Sequence, residues 1–226
     1  MEHLKSARVL VIGVGGVGAA VAEMIARAGV GHMTLVDGDI VQLSNRNRQL
    51  NAFVSTLGLE KVEVTGNRLL DINPDLKLQK IAQFLEAEDM EALLDSQAWD
   101  FVVDAIDTLA PKVKLLQLAF QKQLNIVSSM GAGAKVDPSK IIQADLSKTV
   151  QCALAKAVRR ELGLLGIRKG IPVVFSTEGA RKEAVVGASN ERHKKSTVGT
   201  VSYMPVVFAC YLAAYVIQNL SKIEQS

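Results

Sequence analysis

The stretch Arg8-Val-Leu-Val-Ile-Gly13-Val-Gly15-Gly16-Val-Gly18-Ala-Ala-Val-Ala22 decides the fold. A β-branched run enters a glycine cluster, and the alanine-rich residues that follow, Ala19–Ala28, have helical composition. A second strand over Met33–Val36 ends at Asp37. Strand, glycine turn, helix and strand within about 30 residues make a parallel crossover unit. Glycines there allow the tight turn, the approach of backbone to phosphate and close helix–strand packing. The free N–H groups of the helix N-terminus then face the anion. Asp37 lies 19 residues beyond Gly18, where a carboxylate at a strand end accepts ribose hydroxyls. Gly13, Gly15, Gly16, Gly18 and Asp37 are therefore candidate nucleotide-binding residues.

Working outward, the apolar spacing predicts a helix over Ser55–Leu70, stopped by Asn73-Pro74, and a strand over Leu76–Ile81. A helix is expected over Ala87–Leu94, a buried strand over Phe101–Val103, a helix over Lys112–Lys122 and a strand over Asn125–Ser129. Ala153–Leu165 reads as a basic helix and Val173–Ser176 as a strand. Glu178–Ser196, polar and aperiodic, reads as a long loop. This alternation predicts an α/β, doubly wound, Rossmann-like fold: a mostly parallel sheet with helices on both faces and a short C-terminal extension. No linker or repeat divides the 226 residues. A single domain over 1–226 is expected, with a nucleotide-binding half (1–150) and a less regular substrate or dimer half (151–226).

Composition removes several function classes. Hydrophobic residues make up 49% and charged residues 22%, which excludes a disordered chain. Lys+Arg exceed Asp+Glu by 26 to 23, too mild a balance to announce nucleic-acid binding. Ten aromatic residues are too few for a base-stacking platform. Two cysteines, Cys152 and Cys210, form no CxxC pair, so no zinc site is expected, and lone thiols suit a reducing, cytoplasmic setting. Cys210 is expected in the core, and His3, His32 and His193, which share no metal spacing, at the surface. The N-terminus has no secretory n-region. Met204–Leu220 is uncharged, yet its apolar part falls short of the ~20 residues that cross a bilayer. It reads as a helix buried on both sides in a core, and no membrane partner is expected.

Alone, the glycine fingerprint reads equally well as a NAD-dependent dehydrogenase. The following run changes that: Asp37-Gly-Asp39-Ile-Val-Gln-Leu-Ser44-Asn45-Arg46-Asn47-Arg48-Gln49, then Lys61, then Asp104-Ala-Ile-Asp107. A hydride-transfer site needs an apolar nicotinamide pocket. Arginines, a lysine and an acidic pair around one nucleotide instead describe a triphosphate and its metal.

These motifs resemble the ThiF/MoeB/HesA family of ubiquitin-activating-type adenylating enzymes over nearly the whole chain. The resemblance implies that Asp37 binds ribose, with Asp39 beside it in the nucleotide site. Asn45, Arg48 and Lys61 would hold the ATP phosphates, Gln49 would lie beside them, and Asp107 would coordinate Mg²⁺. Arg48, Lys61 and Asp107 are the implied catalytic residues. The strings Arg46-Asn-Arg-Gln49, Asp71-Ile-Asn-Pro74, Asp145-Leu-Ser-Lys-Thr149 and Phe175-Ser-Thr-Glu178 look like the TcdA (CsdL) branch. That branch implies a homodimer that uses ATP and Mg²⁺ to cyclise threonylcarbamoyladenosine in tRNA, with loss of water, through an adenylated carboxylate. The alternatives are activation of a ubiquitin-like sulfur-carrier or other sulfur-transfer partner, and an inactive nucleotide-binding scaffold.

A basic region is compatible with tRNA: ten Lys and Arg from Lys156 to Lys195 face four acids. Family members carry an N-terminal helix with an arginine for the neighbouring ATP site. Only eight residues precede Val9, too few for that helix. The expectation is a shortened chain, a substitute such as Arg46, or impaired catalysis. Ser196-Thr-Val-Gly-Thr200 stands where some relatives have a cysteine, so no thioester step is expected.

Overall fold

The structure, a computed structural model, describes residues 2–180, 185–187 and 196–221. Helix α1 (Glu2–Ser6) precedes strand β1 (Arg8–Ile12), and α2 (Gly18–Arg27) leads to β2 (His32–Val36). Next come α3 (Lys61–Ile72), β3 (Lys77–Ile81), α4 (Ala87–Asp95) and β4 (Phe101–Asp104). They are followed by α5 (Leu109–Gln121), β5 (Ile126–Ser129), β6 (Ile141–Asp145) and α6 (Ala153–Leu164). The chain closes with β7 (Pro172–Ser176), β8 (Val185–Gly187), β9 (Ser196–Val198) and α7 (Tyr203–Ser221).

Seven strands form one sheet in the order β3-β2-β1-β4-β5-β7-β6, all parallel except β6, which runs antiparallel to β7. The chain winds outward from β1 through β2 to β3, then crosses back to β4. The strand order therefore reverses between β1 and β4, and ligands of such sheets sit outside the strand C-termini at that point. Strand alternation sends Val9, Val11, Met33 and Leu35 to a core shared with α2 and α7, and Leu10, Ile12 and Val102 to one shared with α4, α5 and α6. Ala19, Ala20, Ala22 and Ala26 let α2 lie close against α7. Tyr215 of α7 meets Phe101 of β4 edge-to-face at 5.9 Å.

Several expectations change. Helix α3 starts at Lys61, not Ser55. Gly58, at φ +82°, breaks the continuation, and its N–H donates to the Val41 carbonyl, pinning the segment to the chain leaving β2. Strand β6 went unread because Ile141-Ile-Gln-Ala-Asp145 is short and half exposed. Helix α7 is buried along one stripe: Met204, Phe208, Leu212, Val216 and Leu220 recur every four residues. Cys210 lies about 200° around the helix from Phe208 and is exposed, not core. Finally, a five-residue helix, α1, does precede β1, without an arginine, and packs against α7.

The polar segment 178–196 contains strand β8, which pairs antiparallel with β9. The expectations for Arg181, Lys182, Arg192, His193, Lys194 and Lys195 lie outside the described residues.

Candidate active site

The glycine turn sits at the C-terminal end of β1, pressed against the segment leaving β4. Gly13 has φ +89°, and a Cβ there would lie 2.7 Å from the Ala105 carbonyl oxygen. A Cβ on Gly18 would lie 1.7 Å from the Gly13 carbonyl oxygen. Gly18→Ala is therefore expected to cost about 3 kcal/mol or more, lowering Tm by roughly 10 °C in a thermal unfolding scan. A variant as stable as the parent would show that the turn relaxes freely.

Asp37 closes the turn from the other side. Its Oδ2 accepts the Val14 N–H at 2.6 Å and its Oδ1 the Asp39 N–H at 2.8 Å. Burial pushes its carboxyl above the usual range; the Lys61 charge and those two N–H donors oppose the rise, while Asp39 adds to it. Lys61, buried at the first turn of α3, donates to Asp39 Oδ2 at 2.7 Å. The carbonyl of Asp39 also accepts the Lys61 N–H, so backbone and side chain lock the two residues together.

The run from 42 to 49 folds into a 3₁₀ turn, Leu43–Asn45, facing the glycines. Buried Asn45 uses its Oδ1 to accept the Gln42 N–H. The Arg48 guanidinium folds back onto the Ser44 carbonyl and Asn47 Oδ1, at 2.7 and 2.8 Å. The Arg48 carbonyl oxygen lies 3.3 Å from where a Gly16 Cβ would be, and Gln49 Nε2 lies 3.7 Å from the corresponding Gly15 position. Arg46 is exposed on the same run. The structure thus assembles the glycines, Asp37, the Asp39–Lys61 pair and the 45–49 run around one crevice.

Asp107 is exposed on the turn after β4, and the anchoring of that turn was not legible in sequence. Asp104 and Lys112 are fully buried and paired at 2.7 Å. Lys112 Nζ also donates to the Ile106 carbonyl, while Asp104 accepts the Ile106 N–H and the Ser128 hydroxyl. Both polar groups of Ile106 are therefore held by one ion pair, which makes Lys112 a positioning residue for Asp107. The signal was a lysine three and four residues before Leu115 and Leu116, on the buried face of α5. Lys112→Met leaves Asp104 buried and unpaired, a loss of about 3–5 kcal/mol expected in denaturant unfolding. Asp104→Leu/Lys112→Met should recover much of that stability. Wild-type stability in the single variant would refute the pairing.

Asn51, buried, was also missed: its Nδ2 donates to the Val14 carbonyl and to Thr65 Oγ1, bracing the glycine turn on α3. The acceptor oxygens of Gln49 and Asn51 are buried with no hydrogen-bond partner among the described residues. Further along the strand ends, Lys135 is buried, and its ammonium donates to the carbonyls of Gln151 and Glu178. Burial lowers its pKa below that of an ordinary lysine; Cys152 and Glu178 oppose the shift. The Glu178 carboxylate accepts the N–H groups of Val136 and Asp137. Of the strings singled out in sequence, Phe175–Glu178 thus reaches this hub through Glu178.

Among the described residues no group of three or more His, Cys, Asp or Glu is placed to hold a metal ion. Mg²⁺ needs no such cage, because one or two carboxylates plus substrate phosphates suffice. An exposed carboxylate on a turn fixed against the glycine loop fits that requirement.

A Rossmann-like sheet with a glycine turn, a half-buried aspartate at the end of the second strand and a cationic run beside them defines a nucleotide-binding type of α/β protein. The chain belongs to the ThiF family, whose profile matches residues 1–226. It is 38% identical to the tRNA threonylcarbamoyladenosine dehydratase of Bacillus subtilis, over 98% of this chain and 90% of that one. It is 32% identical to the Haemophilus influenzae protein of the same name, over 98% and 88%. The E. coli tRNA N6-threonylcarbamoyladenosine dehydratase TcdA, solved with ATP, superposes with a TM-score of 0.90 at 29% identity, covering 100% of this chain and 90% of that chain. The adenylating class and the TcdA-like branch expected from the motifs agree with these findings.

Proposed function

We propose that the chain is an ATP-dependent adenylating enzyme that cyclises threonylcarbamoyladenosine in tRNA. The observation that carries this reading is the assembly of the glycine turn, Asp37, Asp39–Lys61 and the Asp107 turn at the β1/β4 reversal. Relatives matched over nearly their full length, which bear the dehydratase name, support it. Asp37 accepts the ribose hydroxyls with the lone pairs left over from its two backbone contacts. Glycine-turn N–H groups, Asn45, Arg48 and Lys61 hold the phosphates, with Gln49 beside them. Asp107 would hold Mg²⁺, which neutralises charge on the phosphates when bound. The carboxylate of the modification attacks the α-phosphorus and pyrophosphate leaves. Its own carbamoyl oxygen or nitrogen then attacks the acyl carbon, expels AMP and sheds a proton. The net change in the nucleoside is loss of one water.

We also propose a cytoplasmic homodimer, whose subunit contact would use the apolar side chains exposed at Leu43, Phe53, Val54 and Leu59. Arg46, exposed on the same run as Arg48, would substitute for the additional arginine of the ATP site. A second reading, activation of a carrier-protein C-terminus, is motivated by the E. coli molybdopterin-synthase adenylyltransferase, 36% identical over 60% of this chain and 53% of that one. The test is incubation with ATP, Mg²⁺ and tRNA carrying threonylcarbamoyladenosine, followed by mass spectrometry of the nucleosides. Loss of one water from that nucleoside supports the proposal. An unchanged nucleoside favours the inactive scaffold, and copurification with a Gly-Gly-ended protein favours the carrier reading.

A further inference from the structure

Away from the crevice, β1, β2 and β3 place Arg8, His32 and Lys77 in one register row. Side chains in register across parallel strands share a face, so Leu10, Thr34 and Gln79 form the next row on that face, and Ile12, Val36 and Ile81 the third. The third row packs into the core under α4–α6. Leu10 of the second row joins that core, whereas Arg8, His32, Lys77, Thr34 and Gln79 line a cavity of about 280 Å³ walled also by Trp99 and Gln97. Strand β2 is interior to the sheet, and such strands are normally apolar on both faces. Folding alone gives no reason for His32 and Thr34 to face that side.

The charges are unbalanced. Among the described residues, neither the Arg8 guanidinium nor the Lys77 ammonium is paired with a carboxylate. The neighbouring acid, Asp100, accepts the Arg8 backbone N–H at 2.7 Å. Burial first, then Lys77 and Arg8, hold the pKa of His32 below its ordinary value, and Asp100 opposes them. Arg8 and Lys77 stand two strands apart with His32 between them, so an oxyanion over the row can meet both cations at once.

We propose that this cavity is a binding site for a phosphate group. Arg8 offers a planar fork, Lys77 a point charge, and His32 and Gln79 further N–H donors, a donor set that suits several oxygens on one centre. The volume is ample for a phosphate or pyrophosphate. The site lies at the opposite end of β1 from the glycine turn, so it is separate from the nucleotide crevice. Because the anion favours protonated His32, affinity rises as pH falls through the lowered pKa of that imidazole.

Trp99, the single tryptophan of the chain, stands in the cavity wall and reports on it directly. The experiment titrates inorganic pyrophosphate against Trp99 fluorescence in the full chain, at and below neutral pH. A parallel arm measures tRNA binding against salt concentration. Saturable quenching or enhancement is expected, tighter at the lower pH, and weakened about tenfold or more in Arg8→Gln/Lys77→Gln. His32→Gln serves as the second variant, and should retain binding with only the pH dependence that protonation of pyrophosphate itself imposes. A tRNA salt slope reduced by about two in the double variant would identify the source as the tRNA backbone. An unchanged slope with an intact Trp99 response would identify a free phosphate. No saturable response, or one that persists in the double variant, overturns the proposal. Because the pyrophosphate arm requires no adenylation, its outcome is independent of the dehydratase reading.

Discussion

Asp37→Ala is expected to abolish measurable ATP binding, with a loss of at least about a hundredfold in Kd by calorimetry. The carboxylate accepts the Val14 and Asp39 N–H groups and would also accept the ribose hydroxyls. Hydrogen bonds to a charged acceptor are worth roughly 1.5–3 kcal/mol each, and alanine deletes all of them. Asp37→Asn should be intermediate, because an amide offers one acceptor oxygen and places N–H donors against the backbone donors. The same group sets a pH dependence. Its folded-state pKa is raised, so the folded protein binds a proton up to a higher pH than the unfolded chain, whose carboxyl titrates near 3.8. Stability contributed by Asp37 therefore falls as pH rises from the unfolded to the folded pKa, and is flat above it. Ligand affinity runs the other way: the ribose acceptor is lost as pH falls through the raised value. With adenosine as ligand, which carries no titrating phosphate, the weakening should appear in the parent and vanish in Asp37→Asn. Equal adenosine affinity on both sides of that range would remove Asp37 from the ribose site.

Asp107→Ala separates binding from chemistry. ATP affinity in the absence of metal should change less than about threefold, because Asp107 is exposed and the turn is held by Ile106, Asp104 and Lys112. ATP–pyrophosphate exchange should fall by about 10²–10³, the usual cost of deleting a group that stabilises transition-state charge. Full exchange in this variant would end the proposed metal role. Asp107 and Lys112 sit five residues apart, yet their variants should fail differently. Asp107→Ala keeps its stability and loses rate, whereas Lys112→Met loses stability first.

The parts legible in sequence share one property: they depend on residues close in the chain. Strand β1, the glycine turn, α2 and β2 follow from local periodicity and from positions where a side chain would strike backbone. The run from Asp37 to Gln49 suggested a triphosphate site through its arginines and acids, and its residue roles came only from the family resemblance. What resisted reading depends on distant partners. The start of α3 was misplaced because Gly58 donates to Val41, seventeen residues earlier. Buried Asn51 and Lys112 resembled surface residues, since nothing nearby in sequence announces Val14, Thr65 or Ser128 as partners. Cys210 was placed in the core by hydropathy, which cannot tell which side of an uncharged helix faces out.

By itself, then, the sequence determined a doubly wound α/β chain with a tight glycine turn after β1 and the residue types of an adenylating enzyme. Those features rest on the 2.0- and 3.6-residue periods and on the steric needs of a tight turn, which are properties of short segments. The tertiary structure alone decided how the site is held. Asp39 and Lys61 meet because β2 and α3 converge at one strand edge. Lys112 clamps the Asp107 turn because α5 carries it back beneath the end of β4. Arg8, His32 and Lys77 form a row only because three separate strands pair in that register. Each depends on contacts between segments far apart in the chain, and the buried Lys61 and Lys112 are tolerated because the fold itself supplies their carboxylates.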